Sequence, residues 1–286
     1  MEDSENSCLL YIEDDSSLNE QYHYKDENLG FCSVSDCDSV YIEMLIQKET
    51  IFRSNTSNLS VESELQCARV AAVKWILDQK RVLFGFHFRT AYLSVIYFDL
   101  FLSTRSIDNG KLWAVRLLSV ACLSLAAKME ECEAPALSSY RVDEYDFEGN
   151  TIQRMELLVL NTLEWKMSFA TPFAYLNFFI IKFGQKFRRK DVIDQAVGLI
   201  LAVMGEINLV EFRPAIVAAA AVLAACDHHL TEKLVEIKMN KAVPSWGSLE
   251  REHVYSCYNL LREIGMLKPE MPGLIISRNL SSSSNR

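Results

Sequence analysis

The residues able to do chemistry in this chain are few, and their arrangement argues for binding rather than catalysis. Eight cysteines stand at positions 8, 32, 37, 67, 122, 132, 226 and 257, with no Cys-x-x-Cys pair and several inside apolar helical runs. They read as reduced thiols packed as small hydrophobes, not as a disulfide frame or a zinc site. His228 and His229 are adjacent at a helix end and have no third ligand in view, so no metal is expected. No G-x-x-x-x-G-K, G-x-G-x-x-G, H-E-x-x-H or G-x-S-x-G occurs, so neither an enzyme nor a cofactor is expected. One acid stands out. Glu156 falls on the apolar stripe of Ile152, Met155, Val159, Leu160 and Leu163. A carboxylate in that place needs a partner or a route to water, because burying it alone is expensive.

The element that must position such a residue is the stretch from Trp113 to Met129. Thirteen of its seventeen residues are apolar and they leave no continuous polar face, which in a helix means burial on nearly every side. Ala121, Ala126 and Ala127 let neighbouring backbones come close and favour helix. At seventeen residues it falls short of a membrane span, and Lys128, Glu130, Glu131 and Glu133 give it a charged exit. It reads as the core helix of a soluble bundle. A second stretch of this kind, Ala215 to Ala225, is almost uniformly small and apolar.

Around these two the chain is helical by period, and only 10 Gly and 6 Pro interrupt its 286 residues. The spacing predicts helices over about Val40–Phe52, Val61–Gln79, Phe88–Ser103, Trp113–Met129, Leu137–Tyr145 and Thr151–Leu163, with Gly149 and Asn150 as the turn between the last two. The pattern then starts over at Thr171, with helices over about Pro172–Phe183, Lys190–Ile207, Arg213–Cys226, Leu230–Met239 and Leu249–Ile264, the last closed by Gly265. Leu125-Ala126-Ala127 and Leu223-Ala224-Ala225 each lie in the third helix of a series of five. The simplest account is an all-α chain of two tandem five-helix repeats, each wrapped round its third helix, with a short N-terminal helix before them. Residues 1–37, polar and acidic, and 268–286, with Pro269, Pro272, Gly273 and Ser281 to Ser284, are expected to be disordered; the repeats occupy 38–169 and 170–267. The acidic start lacks the order of a secretory signal. A net charge of −9 argues against nucleic acid or an anionic membrane as partner and in favour of proteins.

Several segments resemble the cyclins, in particular the plant D-type cyclins. They are Ala68-Arg69-Val70-Ala71-Ala72-Val73-Lys74-Trp75-Ile76, Tyr97-Phe98-Asp99-Leu100-Phe101-Leu102-Ser103, Val120 to Glu131, and Arg154-Met155-Glu156-Leu157, in the family's order and spacing over roughly residues 40–170. The second half is similar to the more variable C-terminal cyclin repeat. The resemblance implies a regulatory subunit, itself without catalysis, that binds and activates a cyclin-dependent kinase at the G1/S transition. An A-type kinase is the expected partner, in nucleus and cytoplasm, with a retinoblastoma-related protein and kinase inhibitors as further partners.

By the same resemblance Lys128 and Glu156 are the kinase-binding residues, reaching backbone groups around the kinase's PSTAIRE-type helix. The competing reading is an ordinary surface ion pair of little worth. Arg69 and Asp99 match an internal pair that holds the first helix of the repeat to the second, a structural role. Ala68, Ala71, Ala72 and Trp75 match a hydrophobic patch that accepts the Leu of an Arg-x-Leu motif, against the alternative of plain core packing. Three of those four are Ala, so Trp75 is expected to supply most of the apolar surface. Asp78 matches an acidic position that attracts the motif's basic residue; Arg116 stands where the family usually has Gln and opposes it. Leu9-Leu10-Tyr11-Ile12-Glu13 departs from the retinoblastoma-binding Leu-x-Cys-x-Glu, with Tyr11 in the Cys position and too large for a pocket shaped for a thiol. Arg188-Arg189-Lys190 reads as a nuclear signal or as a solvated basic loop. Two alternatives to a kinase activator are a cyclin-fold scaffold without activating power and a transcription-related cyclin-like binding protein. The second would be expected to carry a basic face, and often a zinc ribbon.

Overall fold

The structure, a computed structural model, describes residues 36–53, 63–79, 85–105, 107, 111–140, 145–183, 189–206 and 212–267. Ten α-helices and no strand occur among them. In chain order they are α1 (Asp36–Arg53), α2 (Ser63–Gln79), α3 (Phe88–Thr104), α4 (Leu112–Glu130), α5 (Gly149–Thr162), α6 (Phe173–Phe183), α7 (Arg189–Val203), α8 (Pro214–Cys226), α9 (Glu232–Ala242) and α10 (Ser248–Leu267). The expectations for residues 1–35, the retinoblastoma-type motif at Leu9, Tyr11 and Glu13, and the tail after Leu267 lie outside the described residues.

The two alanine-rich helices do what their composition demands. Every position of α4 from Ala114 to Ala127 is buried except Arg116, with α2, α3 and α5 packed round it. At 19 residues α4 is longer than expected and passes a membrane-span test by length and composition, contrary to the sequence reading. Its apolar surface is nevertheless spent on neighbouring helices, 72% of the tested window being buried inside the protein. In the second repeat α8 is buried from Ala215 through Ala224 against α6, α7 and α10. Small side chains on every face set how closely these helices approach. Inserting a larger one must push backbones apart, so Ala220→Leu is expected to cost about 1–3 kcal/mol, read as a lowered urea midpoint.

Charged pairs tie elements together where apolar packing alone would leave their angles loose. Arg69 of α2 makes a two-pronged contact with Asp99 of α3, Nε to Oδ1 at 2.7 Å and Nη2 to Oδ2 at 2.8 Å, both side chains almost fully buried. A second pair was missed in the sequence. Glu49 of α1, on the same stripe as buried Ile42 and Ile46, lies 3.5 Å from the Nε of Arg213 and accepts the Ala215 N–H at 3.1 Å. Arg213 also donates to the Ile46 carbonyl, stands 5.8 Å from the Trp246 ring centre and lies 3.6 Å from Glu250. Burial pushes the Glu49 carboxyl above the usual range, opposed by the Tyr175 hydroxyl and by Arg213. This buried cluster fastens α1 to the second repeat. Between repeats, the Tyr92 ring meets Phe173 edge-on at 5.8 Å, and within the first the Tyr97 hydroxyl donates to the Met167 carbonyl at 2.8 Å.

Three local expectations are corrected. Among the described residues of the helix predicted over Leu137–Tyr145 stands a 3₁₀ turn, Leu137–Ser139, and neither Tyr140 nor Tyr145 is helical. Pro135 precedes this stretch, Ser138 and Ser139 compete for its backbone groups, and no apolar stripe offsets the cost of nucleation. Gly149 and Asn150 open α5 instead of preceding it, which costs little because first-turn N–H groups lack intrahelical partners in any helix. Gly265 does not end α10; the helix passes through it to Leu267, and a Cβ there would sit 3.3 Å from Leu199.

Candidate functional site

Lys128 lies in the last turn of α4 and Glu156 in the second turn of α5, and packing of these two helices brings their side chains together. The ammonium of Lys128 is 2.7 Å from each carboxylate oxygen of Glu156. The pair is lopsided. Glu156 is 7% exposed at its side chain and Lys128 42%, so the acid sits within the protein and holds the cation at its surface. A cation in the last turn of α4 also meets the negative end of the helix dipole.

The end of α4 is itself pinned. Glu131, just past the helix, accepts the His87 backbone N–H at 2.9 Å and the Thr90 hydroxyl, and pairs with His87 Nδ1 at 2.7 Å. Glu130 pairs with Arg89 at 2.8 Å. These contacts lock the exit of α4 to the start of α3 and so fix where Lys128 stands. Tyr140, buried behind the 3₁₀ turn, lies near the same acids; burial first, then Glu156 and Glu131, push its hydroxyl up to about 12.

Apolar side chains stand exposed next to the pair in the chain. Met129 and Leu157, each next to one of its members, are about half exposed, and Trp165 is 62% exposed. Trp165 is presented by an unusual turn after α5 in which Glu164 and Trp165 both take positive φ, closed by the Trp165 N–H donating to the Leu160 carbonyl. A helix C-terminal turn of this kind usually has glycine. Exposed apolar residues next to a fixed charge have the composition of a protein-binding patch. The sequence reading missed these three residues, since period shows which face of a helix is apolar but not which parts stay uncovered.

The remaining candidates are dispersed. Arg69 and Asp99 are core. Of the residues assigned to the docking groove, Ala72 is fully buried, Trp75 is 6% exposed, Ala68 is half-buried, and Ala71 and Asp78 are exposed. Arg116, half-buried, donates to the Ala71 carbonyl at 3.3 Å. The exposed apolar surface here comes from Val70, Ala71 and Trp113, with little from Trp75. Arg189 and Lys190 begin α7; Arg188 lies outside the described residues. Among the described residues no cluster of His, Cys, Asp and Glu has the makeup of a metal site.

Comparison with known proteins places this geometry. The Cyclin, N-terminal domain family matches residues 41–168, and the Cyclin, C-terminal domain family residues 170–285. Cyclin-D5-1 of Arabidopsis thaliana is 37% identical over 305 residues, covering 100% of this chain and 93% of that protein. The chain is a plant D-type cyclin. Cyclin-D5-1 of Oryza sativa subsp. japonica is 45% identical over 68% of this cyclin, and Cyclin-D3-1 of Arabidopsis thaliana 36% identical over 70%. The matches cover 54% and 53% of those two relatives, so this cyclin spans about half the length of each. Membership implies a regulatory role in the cell cycle and a cyclin-dependent kinase as partner. The two-repeat all-α fold expected from the alanine-rich middle helices is the fold of the family.

Proposed function

We propose that this cyclin binds and activates an A-type cyclin-dependent kinase, promoting passage from G1 into S phase, and works in nucleus and cytoplasm. One observation carries the reading. The Lys128 ammonium has three donors, of which Glu156 takes two, and the remaining one is held at a half-exposed position, with exposed Met129 and Leu157 adjacent in the chain to the two members of the pair. A partner helix laid on this patch buries its apolar residues against Met129 and Leu157, while its backbone carbonyls meet the free donor. In a kinase that helix carries the Glu that pairs the ATP-binding Lys, and pressing it inward completes the active site. The cyclin supplies position alone; transfer of the phosphoryl group is the kinase's chemistry.

A retinoblastoma-related protein is the proposed substrate and kinase inhibitors the proposed further partners. The test is co-purification of the full chain with an A-type kinase, followed by phosphorylation of a retinoblastoma fragment. The reading requires a stable complex and a rate well above that of the kinase alone. A complex without added activity leaves a scaffold, and no complex removes the reading altogether.

A further inference from the structure

Helix α9 of the second repeat is apolar on two sides and buries only one. Val235, Met239 and Ala242 form the buried stripe, while Leu234 is 46% and Ile237 51% exposed, where an amphipathic surface helix has polar residues. At about 100° per residue, Leu234, Ile237 and Lys241 fall within about 60° of one another on the outer face, with Lys233 and Lys238 to either side. Lys233 and Lys241 are exposed and pair with no acid among the described residues. Lys238, half-buried, holds its ammonium 5.9 Å from the Phe183 ring centre. Both acids of α9 lie at the other margin, one turn apart. Glu236, three residues beyond Lys233, turns to Arg251 of α10, 3.8 Å away. In a chain of net charge −9, this exposed apolar pair is therefore bracketed by lysines.

We propose that the outer face of α9 docks an acidic amphipathic helix of a partner protein, its apolar residues lying on Leu234 and Ile237 and its carboxylates meeting Lys233 and Lys241. The two lysines are eight residues apart, about 12 Å along the axis, so a helix lying alongside presents its acids at about the same interval with the apolar residues between them. The backbone of α9 is spent on its own helix and offers no edge to an extended strand, so the arriving segment has to satisfy its own backbone. A second copy laid on the same face would set lysine against lysine. A membrane or a nucleic acid would meet the rest of an acidic molecule as well, whereas a short helix feels the charges within about 10 Å of it. The proposal does not depend on activation of a kinase.

The experiment is fluorescence polarisation with the full chain and two labelled Ala-rich helical peptides, each carrying two Leu one turn apart between flanking charges, Glu in one peptide and Lys in the other. Wild type is expected to bind the Glu peptide about two- to thirtyfold more tightly at low salt, the range of two exposed ion pairs, with the gap closing in high salt. Lys233→Glu/Lys241→Glu should reverse the preference and Leu234→Ser/Ile237→Ser should weaken both peptides. All four side chains are exposed, so these variants should melt as wild type does. No binding of the Glu peptide, equal or tighter binding of the Lys peptide, or a Glu preference that survives the lysine double variant overturns the proposal. Sedimentation of wild type, but not of that variant, with phosphatidylserine vesicles would give the face to a membrane and overturn it too. So would a kinase complex formed by wild type and lost in the lysine variant, since the face would then belong to the kinase interface.

Discussion

Asp99→Ala is expected to lower the stability of the folded chain by about 3–5 kcal/mol, because it strands a buried guanidinium. Arg69 is 2% exposed, and the two oxygens of Asp99 are its only partners among the described residues. Against a total stability of about 5–15 kcal/mol, the loss is a large fraction of what holds a domain together. For a chain of this size it corresponds to a melting point lower by about 6–20 °C. Replacing both residues by Leu should cost much less than the two single changes summed, since the penalty lies in the unmatched charge more than in the missing bond. Urea unfolding of the two singles and the double decides it. A single Asp99→Ala loss below 1 kcal/mol would mean that water reaches Arg69 and that the pair does not hold α2 to α3.

The second large effect is on the partner. Glu156→Ala should weaken kinase binding by about 2–5 kcal/mol, thirtyfold or more, by releasing Lys128 from the place where it is held. Folding should suffer little, because the residue left behind is a lysine already 42% exposed. Lys128→Ala loses binding to a similar degree but also strands the buried carboxylate of Glu156, and so should lower the melting temperature as well. The two variants thus separate a binding role from a structural one. If Glu156→Ala binds the kinase as wild type does, the pair is a tie between α4 and α5 and nothing more. Affinity by calorimetry beside a thermal melt of each variant gives both readings.

Much of this architecture was legible because helical period and composition are local properties. The uniform apolarity of α4 and α8 demanded burial on all sides, and two such helices demanded two bundles. The carboxylate on the stripe of α5 demanded a partner, and the structure supplies one in Lys128. The same logic applied to Glu49, which lies on a stripe with Ile42 and Ile46, but its partner Arg213 is 164 residues away and no local pattern points there. Trp75 shows the opposite failure. Its spacing with Ala68, Ala71 and Ala72 marks an apolar face correctly, yet the sequence does not say what covers that face, and α4 and its neighbours leave only 6% of the residue exposed.

By itself, then, the sequence determined the number and kind of most elements, the two helices that must be central, and the acids that need partners. These follow from propensity and from the cost of exposing apolar or burying charged groups, quantities each segment carries alone. Only the tertiary structure decided that Lys128 stands half out of the protein while Glu156 is buried, that Met129, Leu157 and Trp165 stay exposed, that Arg116 reaches the Ala71 carbonyl, and that residues 137–139 make a turn instead of a helix. Exposure and pairing depend on which surfaces the packed helices leave uncovered, and that is a property of the assembled bundle.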